Sequence, residues 1–125
     1  MYVKRTALRK FDTIAHIIKS EKELQSFRGK KIFTRAELDY CGKRLRCLGA
    51  RFIIKECVFD YIEDQIGYVE KNYEEIEIIN NELKKPGIRL FNGINQTIKK
   101  MKITDMLISI SHSRNWIMGM VVFCY

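Results

Sequence analysis

Hydrophobic and polar positions change their period part-way along this chain. "MYVKRTA" at the start reads as a short strand, and Leu8, Phe11, Ile14, Ile17 and Ile18 then recur at helical spacing, so a helix is expected that ends before "FRGKKIF". Thr34 precedes Glu37 by three residues, the spacing at which the two side chains cap a helix start reciprocally, so a second helix should begin at Arg35. Gly42 should interrupt it. A longer helix is expected from about Lys43 to about Ile66, with Gly67 as its stop. Beyond Gly67 the pattern alternates: "YEEIEIINN", "GIRLFNG", "MLISISHS" and "WIMGMVVF" all read as strands, and "HSRN" between the last two predicts an antiparallel hairpin. The expected class is α+β, with helices in the N-terminal half around a long central helix, packed on a mostly antiparallel sheet.

The central helix is apolar nearly all round yet contains Arg51, Lys55 and Glu56. On a helical wheel Leu45, Leu48, Phe52, Glu56 and Phe59 share a face with Lys55 at its edge, so Glu56 projects from between two phenylalanines. A carboxylate so placed costs several kcal/mol, roughly, unless a partner, a proton or a metal compensates it. Two readings follow: an internal ion pair, for example with Arg51, or a metal or cofactor site. His112 stands where the last alternating pattern runs into a turn, either as a surface residue or, with Ser109 and Ser111, as the wall of a site at the sheet's end.

At 125 residues, 46% of them hydrophobic, the chain fits one domain with its own core. A formal net charge of +8 calls for an acidic partner. Nucleic acid is disfavoured, because no basic stripe with interleaved aromatics is present. Cys41, Cys47, Cys57 and Cys124 show no C-x-x-C spacing and only two histidines, His16 and His112, accompany them, so no zinc pattern can be written and the cysteines read as reduced thiols. No apolar segment follows the charged start, and the longest apolar run, "WIMGMVVF", is too short to cross a bilayer; the expectation is a cytoplasmic protein without membrane association.

Taken in order, "IFTRAEL", "LGARFIIKE", "YEEIEIIN", "KKPGI" and "ISISHS" followed by a β-rich end resemble the holo-acyl-carrier-protein synthases, the small trimeric branch of the 4'-phosphopantetheinyl transferases. The resemblance covers about Ile32 to Phe123. It implies transfer of the phosphopantetheine arm of coenzyme A to a serine of an acidic acyl or peptidyl carrier protein, assisted by Mg²⁺, in a homotrimer with active sites between subunits. By the same resemblance Glu56 becomes a Mg²⁺ ligand and, with Lys55, a catalytic residue. Arg51, Lys55, Lys85, Pro86, Ser109, Ser111 and His112 would contact coenzyme A, and Arg9, Lys10, Lys19 and Lys22 of the expected first helix would dock the carrier.

Three positions depart from that pattern. The glycines of the family's first strand are absent, and the second metal ligand falls on Asp12 in one register or on Ala7, which cannot ligate, in the other. Asp60 stands where the family carries a lysine four residues beyond the glutamate, and "KKP" replaces "GKP". An anion in place of a cation beside a pyrophosphate inverts the local field, by on the order of 4 kcal/mol per close contact at an effective dielectric near 20. The alternative to an enzyme is therefore a catalytically impaired member that binds coenzyme A or the carrier as a scaffold.

Overall fold

The computed structural model describes residues 2–5, 11–18, 31–80, 86–113 and 116–125, with side chains from residue 31 onward. In chain order the elements are β1 (Tyr2–Arg5), β2 (Phe11–Ile18), α1 (Arg35–Cys41), α2 (Leu45–Ile66), a 3₁₀ turn (Tyr73–Glu75), β3 (Ile76–Asn80), β4 (Pro86–Leu90), α3 (Asn92–Lys100), β5 (Asp105–His112) and β6 (Ile117–Cys124). Four strands form one antiparallel sheet in the order β1-β2-β6-β5, and β3 pairs with β4 in a separate two-stranded ribbon. Among the described residues no helix is long and apolar enough to cross a membrane.

The start of α1 is decided locally. Thr34 Oγ1 accepts from Glu37 N at 3.3 Å and Glu37 Oε1 accepts from Thr34 N at 2.9 Å, the reciprocal cap expected from the spacing. Gly42 then closes the helix at φ 58°, a backbone conformation that L side chains rarely adopt. The long helix α2 lies across β6 and β2, burying Ile53, Ile54, Cys57, Val58, Tyr61 and Ile62. Along β6 the inward positions Ile117, Gly119, Val121 and Phe123 are buried, and the Phe123 ring stacks on Tyr61 at 4.0 Å between centroids. Each large apolar side chain removed from water in this way contributes about 1.5–3 kcal/mol. The β5–β6 hairpin has the expected antiparallel register, running from His112 opposite Ile117 to Asp105 opposite Cys124.

Three expectations need correction. Residues 11–18 are not helical: β2 pairs with β6 over eight consecutive positions. The apolar spacing there suits either period, and the unpaired edge of the central strand decides for the sheet. In the C-terminal half, α3 replaces what reads as an unbroken series of strands; it is a short amphipathic helix burying Ile94 and Ile98, with no side-chain cap to announce it. Finally, not all the cysteines are reduced, since Cys41 and Cys47 form a disulfide that ties the end of α1 to the first turn of α2, while Cys57 and Cys124 keep their thiols. A six-residue separation across the Gly42 corner brings the two Cα atoms to 5.4 Å, within bridging range. Leu8, Arg9, Lys10, Lys19 and Lys22 lie outside the described residues.

Candidate active site

Arg51, Lys55 and Glu56 of α2 have three separate fates. Lys55 is wholly buried: its Nζ donates to Glu37 Oε1 and to the carbonyl of Ile32, both at 2.6 Å. Glu37 spreads its remaining acceptor capacity over the backbone N–H of Ile78 at 2.9 Å, so this pair joins α1, α2 and β3 in one place. Burial lowers the Lys55 pKa, and Glu37 opposes the shift. The expected contact of Lys55 with coenzyme A phosphates does not arise in this geometry, because no atom of it reaches the surface; the pattern shows that Lys55 sits at the edge of a face, not that Glu37 waits there.

Arg51 faces the other way, into a cleft of about 900 Å³ between the α1–α2 corner and the β4 and β5 strands. Its guanidinium lies 4.7 Å over the Tyr40 ring, Nη2 donates to Asn80 Oδ1, and Nη1 donates to the Cys47 carbonyl at 3.4 Å. The Nε atom is buried without a partner among the described residues. Desolvation lowers the pKa of the group, an effect that Glu37 and Tyr40 oppose. Pro86, Ser109 and His112 line the same cleft, together with Lys43, Arg44 and Arg46 at the corner. Four of the residues expected to contact coenzyme A are thereby brought together. Ser111 is exposed one pair further along β5 and does not line the cleft, and Lys85 lies outside the described residues. Lys43, Arg44 and Arg46 make the corner cationic, and Tyr40 and Asn80 hold Arg51 in place. These partners went unread in the sequence because each contact spans an element boundary.

Among the described residues Glu56 is partnered by neither Arg51 nor any other guanidinium. The Tyr73 hydroxyl donates to Glu56 Oε1 at 2.6 Å, and the Lys71 ammonium stands 3.6 Å from Oε2. Tyr73 is wedged against both phenylalanines of the Glu56 face, stacked on Phe52 at 5.8 Å and edge-on to Phe59 at 5.1 Å. The carboxylate keeps 21% of its side-chain surface, enough for a further ligand to approach. Among the described residues no group of three or more histidine, cysteine, aspartate or glutamate side chains converges on a metal position. Asp12 pairs through its backbone with Phe123 and Arg5 in the sheet. A single carboxylate with one oxygen available nevertheless suits Mg²⁺, which keeps several waters and commonly takes one or two carboxylates plus substrate phosphates. Five residues separate Arg51 from Glu56, about 140° of helical rotation, so the glutamate borders a different flank of α2 from the cleft.

No family model matches the chain. Curated holo-[acyl-carrier-protein] synthases do: that of Dehalococcoides mccartyi strain CBDB1 is 35% identical over 94 residues, spanning 74% of this chain and 75% of the relative. The Clostridium tetani protein is 32% identical over 101 residues, spanning 78% and 79%. Among solved structures, a "Chronobacterium ammoniagenes ACPS-CoA complex" superposes with a TM-score of 0.76 at 19% identity, covering 92% of this chain and 97% of that one. The holo-[acyl-carrier-protein] synthase of Neisseria meningitidis gives 0.73 at 19%, covering 90% and 97%. The chain belongs to the holo-[acyl-carrier-protein] synthase family.

Proposed function

We propose that this protein is a transferase that moves the 4'-phosphopantetheine arm of coenzyme A onto a serine of an apo acyl carrier protein. The observation that carries the reading is the cleft in which Arg51, Pro86, Ser109 and His112 meet beside the cationic α1–α2 corner, a pocket of the size and charge a phosphorylated nucleotide needs. The serine hydroxyl attacks the β-phosphorus of the pyrophosphate and gives up its proton to solvent, the bond to the 5'-phosphate breaks, and adenosine 3',5'-bisphosphate leaves with the electron pair. Arg51 is the cation that meets the nucleotide phosphates, with an N–H already desolvated and lacking an acceptor among the described residues. Glu56 is the residue that would hold Mg²⁺ through its available oxygen. The metal, when bound, offsets charge developing on the phosphate oxygens. Lys55 acts at a distance, by fixing the helix from which Arg51 and Glu56 project.

The separation of Glu56 from the cleft supports a trimer with sites between subunits, in which one protomer's glutamate serves its neighbour's nucleotide. The outer face of the four-stranded sheet leaves Leu107 56% and Met118 39% exposed, apolar surface suited to such an assembly. Incubating the protein with apo carrier protein, coenzyme A and Mg²⁺ tests the reaction by mass spectrometry: the carrier is expected to gain the mass of the arm. No gain across several carriers would refute it. Asp60 favours a second reading, a member that binds coenzyme A without transfer; calorimetry showing binding independent of Mg²⁺, alongside absent transfer, would establish that one.

A further inference from the structure

We propose that Tyr73 is a positioning residue for Glu56, selecting which carboxylate oxygen is presented to a divalent cation; this rests on the reading of Glu56 as a Mg²⁺ ligand. The phenol is a rigid donor. Its ring is held by Phe52 and Phe59, the two neighbours of Glu56 on the helix face, so hydroxyl and carboxylate are carried on one packed unit. The 2.6 Å bond occupies Oε1 and fixes the plane of the carboxylate, a charge-assisted contact of the strong class. Among the described residues Oε2 makes no such bond: Lys71 approaches it at 3.6 Å, an ion-pair distance too long for a hydrogen bond, and Lys71 keeps 36% of its side-chain surface and so can move aside. The oxygen left available is already a place where positive charge is stabilised. A second partner of this kind orients a ligating carboxylate in metal sites generally, and its loss typically lowers metal affinity by about ten- to a hundredfold.

Tyr73→Phe removes the hydroxyl and retains both ring contacts. The test measures Mn²⁺, a paramagnetic substitute for Mg²⁺, by electron paramagnetic resonance on the full chain at saturating coenzyme A, and separately measures coenzyme A affinity without metal. Tyr73→Phe is expected to bind Mn²⁺ about ten- to a hundredfold more weakly with coenzyme A affinity unchanged. Lys71→Met, which removes the competing cation, is expected to bind Mn²⁺ at least as tightly as the parent. Mn²⁺ affinity within twofold of the parent in Tyr73→Phe, while Glu56→Gln has lost it, overturns the positioning role and leaves the metal reading standing. Undiminished Mn²⁺ binding by Glu56→Gln overturns both. An equal loss of coenzyme A affinity in Tyr73→Phe would show the hydroxyl to be a general prop and likewise overturns the proposal.

Discussion

At the scale of single residues, Arg51, Lys55 and Glu56 in the stretch "RFIIKECVFD" are tolerated because each of the three has found a different kind of partner. Lys55 and Glu37 are mutually buried, and deleting one side strands the other. Lys55→Met is therefore expected to lower unfolding free energy by about 3–5 kcal/mol in urea titrations. The same variant, where folded, should retain its affinity for coenzyme A, since the ammonium does not reach the cleft; a lost affinity in folded protein would restore the direct role that the family pattern implies. Tyr73 supplies a pH signature. Burial first, then the hydrogen bond and charge of Glu56, push its phenol well above its ordinary value near 10. The folded state therefore holds this proton more tightly than the unfolded chain, so the stabilisation is complete below about pH 10 and declines as pH climbs toward the raised folded value. Above about pH 10 the parent should lose stability more steeply than Tyr73→Phe in metal-free buffer, as denaturant midpoints would report.

At the scale of elements, α2 and β6 approach each other closely at Gly119. A Cβ at Gly119 would fall 2.4 Å from Ile53 Cγ2 and 3.1 Å from Ile54 Cδ1, inside the packed layer. Gly119→Ala should cost about 1–3 kcal/mol through overpacking, read from thermal and urea melts. The elements that were legible in advance are those whose signals are local: the Thr34–Glu37 cap, the stops at Gly42 and Gly67, and the alternation of β5 and β6. The elements misread are those settled by a distant partner. Residues 11–18 become a strand because β6 offers an edge, and the segment holding Ile94 and Ile98 becomes a helix set against the 3₁₀ turn, where Glu75 Oε1 accepts from Ile94 N at 3.2 Å.

At the scale of the whole molecule, the sequence carries a formal net charge of +8 and the outer sheet face leaves Leu107 and Met118 exposed. Association with an acidic carrier protein should weaken as salt is raised, so KM for the carrier is expected to increase between low and physiological ionic strength while KM for coenzyme A changes less. In the proposed trimer, Met118→Lys on the outer sheet face is expected to shift the sedimentation coefficient toward the monomer and to abolish transfer, because Glu56 would then lack a neighbour's cleft. A monomer that keeps full transfer would disprove the shared site.

By itself the sequence determined the helix starts and stops and the strand alternation, since these depend on residues a few positions apart and on backbone groups that must be satisfied on the spot. It also marked Arg51, Lys55 and Glu56 as charges in need of compensation. What compensates each was decided only in three dimensions: Glu37 from α1, Asn80 from the end of β3, and Tyr73 from the turn beyond α2. Local chemistry states that a buried charge must be paired, whereas the identity of the pair depends on which distant segments the core brings alongside.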